Sequence, residues 1–107
     1  MKDNLEVIEV RQSETFRAWH EGMQDTVARA IVARRIDRLA GGNMGDAKSV
    51  GGKVTELRIN YGPGYRLYLS RQGSILVILL CAGDKSTQAA DIKLAQSMAT
   101  KVTDDDA

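Results

Sequence analysis

Between Glu56 and Lys85 the chain reads ELRINYGPGYRLYL and then SILVILLCAGDK, and this run restricts the possible folds more than any other part. Gly62-Pro63-Gly64 marks a reversal between two alternating segments. With Tyr61 opposite Tyr65, antiparallel pairing sets Ile59 against Leu67 and Leu57 against Leu69 on one side; Asn60 with Arg66 and Arg58 with Tyr68 fall on the other. Side chains alternate along a strand, so one hairpin feeds aliphatic residues to a core and presents two guanidiniums and a phenol outward. That outward set suits a polyanion. The next segment, Ile75 to Cys81, is apolar at every position and reads as a strand buried on both faces.

At 107 residues the chain is one domain, expected over residues 1–102 with an acidic frayed tail at 103–107. An aromatic share of 5% argues against a base-stacking sheet as the binding surface. Cys81 stands alone in an apolar run, so neither a disulfide framework nor a metal-ligand cluster is expected, and no cofactor. No apolar stretch approaches the roughly 18 to 20 residues of a membrane span, and Lys2-Asp3-Asn4 does not begin an export signal. A reducing cytoplasm and no membrane partner are the expectation. The net charge of +1 hides a gradient: residues 26–83 carry 9 Lys and Arg against 3 Asp and Glu, whereas residues 1–25 carry 3 against 6 and residues 84–107 carry 3 against 5. A charge run is often just a solvated face. A cationic middle between acidic ends is also what an anion-binding surface needs.

Along the chain, a short β-rich segment from Leu5 to Val10 precedes Ser13, which reads as the cap of a helix carrying Phe16, Trp19 and His20. Asp25 is a second cap, for a helix with Ala28, Val32, Ile36 and Leu39 inward that ends at Gly41-Gly42. Arg29, Arg34, Arg35 and Arg38 populate its flanks, and Arg34 and Arg38, four apart, share a face. Five glycines among the twelve positions from Gly41 to Gly52 mark a loop without an element of its own, and no phosphate-cradle motif is present. Asp84 or Ser86 caps a last helix with Ile92, Ala95, Met98 and Val102 inward. The order is β-α-α-β-β-β-α: an α+β fold, an antiparallel-dominated sheet with a helical hairpin and a C-terminal helix on one side.

The element order, the signature ELRINYGPGYRLYL, the apolar ILVILLCAGDK and the following STQAADI resemble the RelE/ParE toxin superfamily, most closely its HigB-like addiction module killer branch. The likeness runs from about Val7 to Met98 and is most specific in the hairpin and the strand-to-helix junction. It implies the toxic half of a type II toxin–antitoxin pair. Many members enter the ribosome and cut messenger RNA; ParE-like members inhibit DNA gyrase instead, so the resemblance speaks for fold before target. It further implies a cognate helix-turn-helix antitoxin and, through the complex, operator DNA. Arg66 matches the arginine that contacts the scissile phosphate, Arg58 a basic strand position, and Lys85 a later cation. Two departures stand out: Glu56 falls where RelE carries a further lysine, and no Tyr or His appears from Lys85 to Lys101 to match the late catalytic group of some relatives.

RNA is cleaved without a metal when the 2′-hydroxyl attacks its own phosphorus, which needs a proton acceptor, a stabiliser of phosphorane charge and a donor to the leaving oxygen. Arginine holds its proton too tightly to be a base, so Arg66 is cast as the transition-state clamp. Lys85 would donate or neutralise, Arg58 would crowd the same region, and Tyr68 stands in as the missing hydroxyl. Arg34, Arg38, Lys48 and Lys53 are expected to grip RNA phosphates. The bland alternatives are a surface strand arginine for Arg66, an internal ion pair for Arg58 with Glu56-side neighbours or Asp84, and packing for Tyr68. Tyr61 and Tyr65 read as core, His20 as structural, Cys81 as a small buried hydrophobe.

Overall fold

The computed structural model describes residues 8–106. Its elements are β1 (Glu9–Gln12), α1 (Glu14–Glu21), α2 (Thr26–Ala40), β2 (Ala47–Ser49), β3 (Thr55–Ile59), β4 (Tyr65–Gln72), β5 (Leu76–Gly83), a 3-10 turn (Lys85–Thr87) and α3 (Gln88–Asp106). Five strands form one sheet in the order β1-β5-β4-β3-β2, with the β1–β5 pair parallel and every other pair antiparallel. The α+β class and the antiparallel-dominated sheet are as the sequence indicates. The first strand begins at Glu9; Leu5 to Val7 lie outside the described residues.

The caps form where the side chains direct. The Ser13 hydroxyl accepts from the Phe16 N–H at 2.9 Å and donates to the Leu80 carbonyl at 2.6 Å, so one residue starts α1 and ties it to the sheet. Asp25 accepts from the Ala28 N–H at 3.0 Å, and Gly41 closes α2. The glycine-rich loop does contain an element: Ala47–Ser49 pairs with Thr55–Leu57 as edge strand β2, and Gly51, Gly52 and Lys53 turn with φ of 86°, 60° and 64°. Composition hid it, because three exposed residues bury nothing and only the ladder defines them. The helix α3 continues to Asp106, through most of the acidic segment expected to fray.

Helices cover both faces of the sheet, not one. On one face α1 and α2 pack Phe16, Val32 and Leu39 onto Leu57, Ile59, Leu67, Leu69, Val77 and Leu79. On the other, α3 lays Ala95 and Ala99 against Val54, Tyr68, Leu80 and Cys81. Both sides of β5 are therefore apolar, as its unbroken run indicates, and a register shift beside Tyr68 and Leu69 turns consecutive Leu80 and Cys81 to the same side. At roughly 25 cal/mol per Å² of apolar surface, burial on two faces is the main stabiliser of this small domain. The end of the sheet at the β3–β4 turn lies beyond α3's cover, and there the cations gather.

Candidate functional site

Hairpin pairing determines which charges meet. The closing pair is Ile59 with Tyr65, followed by Arg58 with Arg66, Leu57 with Leu67 and Glu56 with Tyr68. This register differs by two residues from the expected one, because the turn is a five-residue loop, Asn60 to Gly64, with Gly62 and Gly64 at φ of 57° and 81°. A shift of two preserves every face and changes every partner. The aliphatics stay inward, and the two arginines, instead of facing Asn60 and Tyr68, face each other across the ladder.

Directly opposed like charges repel, and Glu56 supplies the counter-charge. Its side chain is fully buried; Oε1 accepts from Arg58 Nε at 3.1 Å, and Oε2 accepts from the Tyr68 hydroxyl at 3.0 Å and from Gln88 Nε2 at 2.9 Å. Arg66 Nε stands 3.6 Å from Oε2 and makes no hydrogen bond of its own. Burial by itself pushes the Glu56 carboxyl up. The hydrogen bonds from Gln88, Arg58 and Tyr68 and the Arg66 charge outweigh it and hold the group below the usual carboxylate range. Glu56 is thus a buried carboxylate whose surroundings favour its charged form, at the position the sequence reading marked as a departure from the resemblance.

An open cleft of about 420 Å³ lies over this pair, lined by Asp46, Arg58, Ile59, Asn60, the Gly62–Arg66 turn and Lys85. Arg58 is 39% exposed, Arg66 only 13%, and Arg66 Nη1 donates to the Gly64 carbonyl at 3.0 Å. Lys85 reaches the cleft from the 3-10 turn, whose cap Asp84 accepts from the Ser86 N–H at 2.8 Å and its hydroxyl at 2.5 Å. Those bonds, with the Arg66 charge, hold Asp84 below its ordinary value. Arg58, Arg66 and Lys85 all line this one cleft. The ion pair considered for Arg58 exists as well, with Glu56 and not with Asp84.

Tyr68 is a correction. It is fully buried beneath α3 and its hydroxyl is committed to Glu56; burial first, then that hydrogen bond, raise it far above a phenol's ordinary value. The two-residue register shift put it opposite Glu56 and away from the cleft, so it positions a carboxylate and offers no hydroxyl to a ligand. Of the four expected RNA-gripping cations, none lines this cleft. Lys48, exposed on β2, lies in the Glu56 row, and Lys53 occupies the β2–β3 turn. Arg34 and Arg38 ride α2 on the opposite sheet face; Arg38 lines a second depression with Ile31, Arg35, Ile59, Asn60 and Tyr61.

Two residues escaped sequence reasoning. Asp46 lines the cleft because the Arg58 N–H donates to its carbonyl at 3.0 Å, extending the β2–β3 ladder by one row; an aspartate in a glycine-rich loop gave no signal. Arg35, grouped with the flank arginines of α2, is buried and donates to the carbonyls of Arg58 at 2.6 Å, Met44 at 3.1 Å and Asp46 at 3.0 Å. It clamps that loop to β3. Burial, then the Arg38 charge, lower it from its ordinary value against the pull of Asp46. His20 is structural, its Nε2 donating to the Arg29 carbonyl at 3.0 Å, and Cys81 is buried with its thiol pushed up to about 12 by burial and then by Asp91. Tyr61 and Tyr65, read as core, are only half-buried: they pack against the core's edge, Tyr65 edge-on to Trp19, and each lines one of the two depressions.

No family model matches the chain. It is 47% identical over 95 residues to an uncharacterized protein of Haemophilus influenzae, an alignment covering 89% of this chain and 96% of that protein. Among solved structures it resembles a double arginine mutant of the E. coli toxin RelE in the free state, with a TM-score of 0.63 over 89% of this chain and 96% of that one, at 14% identity. At that identity the likeness speaks for the fold.

Proposed function

We propose that this chain, which belongs to one family with the uncharacterized Haemophilus influenzae protein and shares the RelE fold, is the toxin of a type II toxin–antitoxin pair and cuts translated messenger RNA. The observation that carries the reading is the meeting of Arg58, Arg66 and Lys85 around one open cleft. A phosphate there faces two guanidiniums across one ladder rung, with Glu56 holding both in place. Arg66 stabilises the phosphorane charge, Lys85 protonates the leaving 5′-oxygen, and Asp46, an acidic residue among those lining the cleft, is assigned the 2′-hydroxyl proton. The new P–O bond closes a 2′,3′-cyclic phosphate as the 5′-oxygen departs with the lysine's proton. An acidic or amphipathic antitoxin segment masks the same cations, and the pair acts in the cytoplasm as a helix-turn-helix-containing, operator-binding complex in the HigB-like manner.

The test is induced expression followed by primer extension on cellular messages. Wild type arrests growth and leaves discrete cleavage ends; Arg66→Ala loses cleavage by about 10²- to 10³-fold, the scale of one transition-state donor, while circular dichroism and melting stay folded. Full toxicity in Arg66→Ala overturns the assignment. One observation favours a second reading, a ParE-type inhibitor of DNA gyrase: Tyr68, cast as the stand-in for the missing late catalytic group, is fully buried and committed to Glu56, and no histidine lines the cleft. Growth arrest with intact messages and an induced DNA-damage response would select it.

A further inference from the structure

Beyond the guanidinium cleft lies a second depression of about 230 Å³ on the α2 side of the sheet, lined by Ile31, Arg35, Arg38, Ile59, Asn60 and Tyr61. The two concavities share Ile59 and Asn60, so they adjoin around the end of β3. Their chemistry differs. The first is polar and cationic; the second combines aliphatic walls, a half-buried phenol ring, an exposed amide and an exposed guanidinium. Arg38 makes no ion pair or hydrogen bond through its side chain among the described residues, and its neighbour Arg35 spends its donors on carbonyls, with Nε unpartnered. Beyond the effect of burial, Arg38 is close enough to Arg35 to lower it, against the opposing pull of Asp46.

A flat apolar ring beside a free guanidinium and an amide is the combination that takes a nucleobase by stacking and its phosphate by charge. We infer that this depression is a nucleotide subsite: a single-stranded RNA whose scissile phosphate lies at Arg58 and Arg66 turns around the end of β3, stacks the adjoining base on Tyr61 and sets the next phosphate on Arg38. This rests on the RNA-cleaving reading above and deepens it, since it selects one path for the strand. The rival path runs along the Lys48 side of the sheet, where the row is Lys48, Glu56 and Tyr68 and the latter two are fully buried, so neither offers its side chain to a base.

The experiment is an NMR titration of the full chain with uncleavable 2′-O-methyl oligoribonucleotides of two and six nucleotides. Wild type binds six nucleotides more tightly than two, and the hexamer shifts the Tyr61 ring resonances. Arg38→Ala, an exposed change that leaves the core untouched, loses that length advantage by about fivefold or more and reduces the salt slope by about 0.7 for one phosphate lost from a single strand. Tyr61→Leu loses the stacking part. If both variants keep the advantage while Arg66→Ala abolishes binding, the subsite is wrong and the cleavage reading stands. A larger loss in Lys48→Ala than in Arg38→Ala also overturns the subsite. If Arg66→Ala binds as wild type does, or wild type binds neither oligomer, both fail together.

Discussion

Glu56 shows how much one residue decides in this site. Replacing it with glutamine keeps the volume and removes the counter-charge between two arginines, one of them 13% exposed. Removing one partner of a buried pair typically costs 3–5 kcal/mol; with Arg58 partly open to solvent, we expect about 3 kcal/mol for Glu56→Gln in urea unfolding. The sign with pH follows from the lowered carboxyl. The unfolded state takes up protons at a higher pH than the native state does, so Glu56's contribution is complete above the unfolded value. It is lost as pH falls through the ordinary carboxylate range toward the lower native value. The urea midpoint of wild type should therefore fall across that window and flatten in Glu56→Gln, with a residual slope from Asp84, whose carboxyl is also held low. An unchanged slope would show that Glu56 is not the titrating group. Tyr68→Phe removes one donor to the same carboxylate and should cost about 1.5–3 kcal/mol, the range for a hydrogen bond to a charged group. Its cleavage rate should drop less than tenfold, because the hydroxyl never reaches the cleft; a loss of 10²-fold or more would return Tyr68 to the reacting atoms.

Among elements, the junction from β5 through the 3-10 turn to α3 is the most tightly constrained. Gly83 pairs with Arg66, and a methyl group there would collide with the Asp91 carboxylate and lie 2.7 Å from Thr87 Oγ1, two groups bonded to each other at 2.6 Å. We expect Gly83→Ala to cost about 1–3 kcal/mol, the usual penalty of overpacking, and to move the turn that carries Lys85. A thermal melt gives the stability, and the backbone amide shift of Lys85 gives the displacement. Gly83 was legible only as a break before Asp84; its need for space depends on α3 arriving from far along the chain. The same contrast explains what the sequence does and does not disclose elsewhere. Alternation in β3 and β4 settles which residues share a face, and Leu57, Ile59, Leu67 and Leu69 are indeed buried. It cannot settle partners, because register depends on how many residues the turn consumes, and that error moved Tyr68 from Arg58 to Glu56. Likewise the apolar stripe of α3 was readable, but its side of the sheet was not, since the fully buried Glu56 carries no local mark distinguishing it from a solvated strand glutamate. Asp46 and β2 were missed for a related reason: their placement comes from Arg35 reaching across to backbone carbonyls, a long-range contact with no periodicity.

For the molecule as a whole, net charge is a poor guide and the grouping of charge a good one. The chain carries only +1, yet Arg58, Arg66 and Lys85 crowd one cleft and Arg38 waits in the depression beside it. Association with RNA should therefore follow the number of local contacts and not the global charge. For single strands each neutralised phosphate contributes a slope of about −0.7 in log affinity against log salt, so three to four contacts predict about −2 to −3. Raising salt from 50 to 200 mM should then weaken binding of a short uncleavable message fragment by about 15- to 60-fold, measured by fluorescence anisotropy. Arg58→Ala should flatten the slope by one contact, since its guanidinium is the most exposed of the arginine pair. The result that would count against the site is a slope near zero in wild type. It would mean that Glu56 already saturates both guanidiniums inside the fold, leaving Arg58 and Arg66 as its structural ion-pair partners and placing the partner surface of this protein elsewhere.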